Sequence, residues 1–337
     1  MSDSRRTVAV VYNSTAGMSR DGRPNRARDD IERILHDTNL TPLWMEVSES
    51  RSIDSCVREM TGSGVELVLV CGGDGTVSRF AGVLASCDIP MGIVPMGTGN
   101  MLAALLRLPF EASAAASGAI SGPALSIDLI RCGEQVATFV TSIGIGAAIM
   151  RNVDRRRKAR FGAYAYLVAF ARQLTYRRDW FRIEIDGSPP VIRRGSGVLV
   201  GNLGALASGN RLAHSALDDG LLEVVVFDIV PRMAWLKRRS IENSNVTRTC
   251  EWHQGRAVIV TASRLHPIET DGDWIGEAQS IQAQVLPRHL SIRGALPPDA
   301  ARHGSWPLRL ARRCLSAWVP HLGMVRQIRK SRQGPSQ

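Results

Sequence analysis

Gly72-Gly73-Asp74-Gly75-Thr76 places three glycines, a carboxylate and a hydroxyl between an apolar run, Glu66–Cys71, and a stretch with Val77, Phe80 and Leu84 on one helical face. Glycine lets a backbone approach phosphate closely, and a helix that starts there offers free N–H groups and a positive dipole end. Thr76 suits either an N-cap or a hydroxyl donor to phosphate. The segment is neither a P-loop nor a dinucleotide fingerprint, and taken alone it fits a tight strand-to-helix corner equally well. Gly92-Ile93-Val94-Pro95-Met96-Gly97-Thr98-Gly99-Asn100 repeats the arrangement, and Asn13-Ser14-Thr15-Ala16-Gly17 follows the first apolar run. Three such turns at the C-terminal edge of one parallel sheet would converge on the crevice where open α/β sheets bind ligands.

Acidic residues offer a second kind of chemistry. Asp271 and Asp273 flank a glycine, and two close carboxylates tend to split their pKa values, leaving one able to accept a proton. A hairpin turn with solvated acids explains the same Asp-Gly pair. Asp128, expected at a strand end, suits either a metal network or a plain edge carboxylate. Asp219-Gly220 reads as a type I′ turn.

These residues need two supports. From Thr7 to about Leu125, strand-like runs (Thr7–Tyr12, Leu43–Val47, Glu66–Cys71, Met91–Pro95) alternate with helical spacing, including Ile53–Met60 and Asn100–Arg107. This predicts an α/β open sheet over residues 1–130. Beyond it, strand-like runs dominate: Val136–Ile143, Phe181–Ile185, Gly197–Gly201, Leu221–Phe227, Ala257–Ala262, Ile281–Leu286 and Leu290–Arg293. They predict an antiparallel β-sandwich over 131–296, interrupted by one helix at Phe161–Tyr176. A length of 337 residues also favours two domains.

The formal charge is +11, which suits a polyanionic partner: nucleic acid, an anionic membrane or a phosphorylated substrate. Six scattered cysteines show no metal-ligand spacing and fit a reducing cytoplasm, and the N-terminus lacks the pattern of a signal peptide. Gln135–Met150, a long uncharged stretch, is too short to span a bilayer. Residues 297–337 form a basic tail, with Leu308, Ala311, Leu315, Trp318, Val319 and Leu322 on one helical face. Residues 300–337 carry eight Arg/Lys and no acid, which suits either reversible binding to an anionic leaflet or a helix packed back on the protein. Arg155-Arg156-Arg157-Lys158 is a second basic patch. No interleaving of aromatic and basic residues suggests RNA binding, so no nucleic acid is expected.

Taken in order, the motifs resemble the diacylglycerol kinase catalytic-domain family, bacterial lipid kinases related to sphingosine kinases. That family shows Asn-Pro-x-x-Gly, Gly-Gly-Asp-Gly-Thr, Pro-x-Gly-Thr-x-Asn, Asp-Gly-x-Leu-Asp and a late Asp-Gly-Glu. Here Ser14 replaces the proline and Asp273 the last glutamate, while Asp219-Gly220-Leu221-Leu222-Glu223 stands for the fourth element. The resemblance implies ATP and Mg²⁺ as cofactors and a lipid hydroxyl, such as that of diacylglycerol or a sphingoid base, as acceptor. It implies a nucleotide site of Asn13–Gly17, Ser48, Gly72–Ser78 (Val77 included), Gly97, Thr98 and Asn100, with Asp74 in the Mg²⁺–water network. It implies a base at Asp271 or Asp273, and a structural Mg²⁺ site at Asp219 with the Leu221 and Ala216 carbonyls, which Asp128 would extend. Peripheral association with the inner face of the membrane follows, with a homodimer admitted. The alternatives are an NAD kinase-like phosphotransferase and a non-catalytic membrane-lipid-binding protein.

Overall fold

The computed structural model describes residues 6–13, 24–48, 53–97, 99–152, 176–202, 217–228 and 250–294. The expected helix at Phe161–Tyr176, both basic patches, Ser14–Gly17, Thr98 and Ala216 therefore lie outside the described residues, except Tyr176 at the end of that helix.

Four short strands of the first domain lie parallel in the order β2 (Thr41–Val47), β1 (Thr7–Asn13), β3 (Val65–Gly72), β4 (Met91–Pro95). Their β-branched runs are buried on both faces, as expected of strands covered by helices. On one face Phe80, Ala81 and Leu84 of α3 (Asp74–Leu84) and Cys56, Val57 and Met60 of α2 (Ile53–Gly62) pack over Val68 and Val70. On the other, Ile31 and Leu35 of α1 (Pro24–Asp37) join Ala115, Ala116 and Ala119 of α5 (Ala112–Ser121) over Val8, Val10 and Leu69. Small side chains on α5 let it approach closely: a Cβ on Gly92 would lie 2.5 Å from that of Ala119. The short α4 (Met101–Leu105) follows β4.

The second domain is β-sandwich-like, with an antiparallel path β12 (Cys250–Gly255), β11 (Leu222–Phe227), β10 (Gly197–Gly201), β7 (Val140–Gly144), β13 (Ala257–Thr270). Strands β8 (Asp179–Ile185) and β9 (Val191–Gly195) form a hairpin on β13. Phe181, Ile183, Val198, Val224, Val258 and Val260 fill its core. Strands β9 and β12 and helix α5 carried no clear periodicity in the sequence.

The two domains share strands. The runs Ile281–Leu286 and Leu290–Arg293, expected as two strands, are one strand, β14 (Asp273–Arg293), with an irregularity between Leu286 and Leu290. Its start pairs with β13, its middle and end with β5 (Ala124–Cys132), and Ile292–Arg293 lie parallel to β4. The boundary expected at residue 130 falls inside β5, which belongs to this seam. Val136–Ile143, expected as one strand, divides into β6 (Gln135–Ala137) and β7, with Thr138 and Phe139 between them. The site explains that break.

Candidate active site

The two glycine turns interlock. Gly73 precedes α3 in extended backbone, and Gly97 follows β4. A Cβ on Gly97 would lie 2.5 Å from the Gly73 Cα, and one on Gly73 would lie 3.1 Å from the Gly97 Cα. Only two glycines can meet backbone to backbone in this way. Two hydrogen bonds lock the pair. Met96 N–H donates to the Gly72 carbonyl at 2.9 Å, and Asp74 Oδ1 accepts the Met101 amide at 2.5 Å. A Cβ on Gly99 would collide with Asp74 Oδ2 at 2.5 Å.

Asn100 shapes the second turn from within. Its Oδ1 accepts the Gly97 amide at 2.9 Å and its Nδ2 donates to the Gly97 carbonyl at 2.8 Å. It occupies the left-handed region at φ 50°, which asparagine tolerates better than most residues. Asn100 and Asp74 therefore build the cradle's shape with their side chains. Val77, placed in the nucleotide site by the sequence, has its side chain in the core below it, since it lies on the inward face of α3. Thr76 remains at the turn, close against Gly72. Asn13 and Ser48 end β1 and the stretch after β2, at the same sheet edge as the glycine turns.

The acidic turn comes from the other domain. Asp271 and Gly272 join β13 to β14 with φ of 48° and 86°. Asp271 Oδ2 accepts the Thr138 amide at 2.7 Å and its hydroxyl at 2.9 Å, and Oδ1 accepts the Phe139 and Val140 amides, both at 2.9 Å. The hydroxyl of Ser78, in the first turns of α3, donates to the same carboxylate. These amides point at Asp271 instead of a neighbouring strand, which is why β6 and β7 are separate. Asp273 stands at the start of β14 with its Oδ2 3.6 Å from where a Gly75 Cβ would be. The acidic turn is thus bonded to α3 at Ser78 and lies beside Gly75 of the first glycine turn.

Directly behind it, Glu269 is fully buried. Its Oε2 accepts the Gly272 amide and its Oε1 the Ser142 hydroxyl, both at 2.8 Å. Burial pushes its carboxyl up to about 8, with the charges of Asp271 and Asp273 adding to the rise against the pull of its two hydrogen bonds. Sequence reasoning missed Glu269; its one signal is an acid in an otherwise apolar and hydroxylic strand end, Ile268–Thr270.

Asp128 is corrected. It lies mid-strand in β5, fully buried, not at a strand end. Its Oδ2 accepts the Gly220 amide and its Oδ1 the Arg288 amide, both at 2.7 Å, so it ties the Asp219-Gly220 turn to the irregularity in β14. Arg288 is left-handed there, at φ 48°, and Asp128 receives the amide that the irregularity frees. Asp219 accepts its own Leu221 amide at 2.9 Å, and burial, then the charges of Asp128 and Asp218, raise its pKa. Crowded acid charge of this kind fits a divalent cation. Among the described residues no three His, Cys, Asp or Glu side chains converge as a metal set, so carbonyls and water would complete the shell, as suits Mg²⁺.

Comparison with known proteins agrees with this layout. Residues 7–132 match the model of the diacylglycerol kinase catalytic domain. Residues 139–294 match the YegS C-terminal NAD kinase beta sandwich-like domain. A probable lipid kinase YegS from Escherichia coli is 29% identical over 295 residues, covering 84% of this chain and 94% of its own. An uncharacterized protein, sll0036, from Synechocystis is 26% identical over 312 residues, covering 85% of this chain and 70% of its own. The crystal structure of a putative diacylglycerol kinase from Bacillus anthracis superposes with a TM-score of 0.68 at 21% identity, covering 88% of this chain and 96% of that one. An NAD kinase from Archaeoglobus fulgidus, solved with ATP, shares the fold at TM-score 0.52 and 14% identity, covering 90% and 99%. Two adjoining domain models thus span the described residues almost end to end, and the chain belongs to the diacylglycerol kinase catalytic-domain family, as an ATP-dependent kinase.

Proposed function

We propose that this chain transfers the γ-phosphate of ATP to the hydroxyl of a membrane lipid, such as diacylglycerol or a sphingoid base. One observation carries the reading: an acidic turn from the second domain closes on the first of two interlocked glycine turns, through Ser78 to Asp271 and Gly75 to Asp273. Phosphoryl transfer is mostly positioning and charge neutralisation, plus a carboxylate for the hydroxyl proton. The glycine turns supply backbone amides at the start of α3. Asp273, exposed beside Gly75, takes the acceptor's proton, while Asp271, which accepts five hydrogen bonds, holds the acidic turn in place. Asp219 with neighbouring carbonyls would hold Mg²⁺ at the second-domain turn. A bound Mg²⁺ neutralises phosphate charge or stiffens the loop that holds it.

The membrane part of the reading rests on the basic, apolar-striped tail, 297–337. No helix among the described residues is long and apolar enough to cross a membrane. Incubating the protein with labelled ATP and a whole lipid extract in mixed micelles, with NAD in a parallel arm, tests the proposal. A labelled phospholipid product that disappears in Asp273→Asn supports it; label in the NAD arm alone overturns it.

A further inference from the structure

We propose that Glu269 is a positioning residue which seats the Asp271–Asp273 turn through the Gly272 amide, and that it does so as an uncharged carboxylic acid. The inference rests on the kinase reading for its importance, but not for its geometry. Asp271 and Gly272, both left-handed in backbone, form the two-residue turn of a hairpin whose flanks Thr270 and Asp273 pair, and side-chain anchors on either side fix where that hairpin end points. Asp271 anchors it forward, to the β6–β7 junction and to Ser78. Glu269 anchors it backward, through Gly272 on one oxygen and Ser142 on the other.

What faces Glu269 leaves no room for its charge. Ser142 and Thr141 approach from β7, with the Thr141 hydroxyl on the Glu269 carbonyl at 3.0 Å. From β5 comes Cys132, whose thiol is raised chiefly by burial and further by Glu269. Asp271 and Asp273 flank it on the turn itself. Helix α6 (Ile145–Arg151), packed on β13, brings Arg151, but that guanidinium pairs with Glu277 of β14 at 2.7 Å. Among the described residues no cation forms an ion pair with Glu269. An isolated buried carboxylate is costly enough that the group holds its proton instead. In the acid form one oxygen still accepts from Gly272, while the other donates to Ser142, whose hydroxyl rotates to receive it. Ionisation would set a third negative charge behind Asp271 and Asp273, facing a site that must receive the phosphates of ATP.

Two measurements on the full chain test this. Infrared spectra of the protein in D₂O, taken across pH, should show the carbonyl band of an un-ionised carboxyl at neutral pH. The band should fade as pH rises through about 8 and be missing from Glu269→Gln. Turnover with diacylglycerol micelles should fall over the same range in the parent protein. Glu269→Gln, which keeps an acceptor for Gly272 and cannot ionise, should hold its activity to higher pH. Glu269→Ala, without the acceptor, should lose at least tenfold in kcat at every pH while KM for ATP moves little. A parent spectrum lacking the band, or an alkaline fall identical in Glu269→Gln, overturns the proposal. The band is read without substrate, so a failure of the kinase reading would show as absent turnover with the band intact.

Discussion

Ser78 and Asp271 stand 193 residues apart in sequence, yet the hydroxyl of one donates to the carboxylate of the other across the domain boundary. Ser78 sits on α3, one turn beyond the glycine cradle, and Asp271 on the acidic turn. In the proposed mechanism this bond would set how far the acidic turn lies from the glycine cradle. Ser78→Ala removes it without changing size appreciably. A hydrogen bond to a charged group contributes about 1.5–3 kcal/mol, so kcat should fall roughly tenfold to a hundredfold. Steady-state kinetics at saturating ATP would check this, and unchanged kcat would mean the domains are aligned by other contacts.

Gly97→Ala should be far more disruptive than its single methyl suggests. The new carbon would lie 2.5 Å from the Gly73 Cα, a backbone atom that cannot rotate away. Overpacking of this kind costs about 1–3 kcal/mol in stability. The two turns must also separate, so calorimetry should find ATP binding weakened or lost while the second domain's fold persists by circular dichroism.

Asparagine at the two acids should give opposite phenotypes. In Asp271→Asn one oxygen becomes an N–H₂ group facing amide donors from the β6–β7 junction, which leaves buried donors unsatisfied at roughly 1–3 kcal/mol each. The melting temperature should drop. Asp273→Asn keeps the fold, since the side chain is exposed, and should lower turnover by about 10²–10⁴. Wild-type turnover in Asp273→Asn would assign the proton to Asp271.

Glu269 also makes stability depend on pH. Its carboxyl is raised from 4.5 to about 8 in the folded chain, so between those values the folded state binds the extra proton. Stability is therefore full below about pH 4.5 and declines as pH rises, until the residue ionises near 8. Glu269→Gln lacks this slope. Its unfolding free energy relative to the parent should rise steadily from pH 5 to 8 and then level off, a difference on the order of several kcal/mol at the plateau, read from melting curves at each pH. Parallel melting curves across that range would show that Glu269 is not the buried acid described.

Much of this site was legible because glycine spacing has few explanations. Gly73 and Gly97 were expected to share one sheet edge, and they meet at the backbone. The order of motifs, together with the change from alternating to strand-rich texture, carried the two-domain plan. Other features depend on contacts that local pattern cannot express. Val136–Ile143 reads as an unbroken strand because nothing nearby in sequence says that three of its amides serve an aspartate 131–133 residues later. Asp128 reads as a strand-end carboxylate for a similar reason: its partners, Gly220 and Arg288, are 92 and 160 residues away. Burial decides Glu269, and burial of a single acid at a strand end has no signature of its own.

The seam strand β14 bears on how the chain is made. Strand β4 leads straight into the second glycine turn, and its outer neighbour in the sheet is Ile292–Arg293, the end of β14. During synthesis from the N-terminus, the nucleotide cradle is complete in sequence by Asn100, yet that flank of β4 stays open until almost two hundred further residues have emerged. An open strand edge invites pairing with another chain. The cradle then gains its last neighbour only once Arg293 has emerged, well after the first domain, and shortened products ending before Arg293 should aggregate instead of binding ATP.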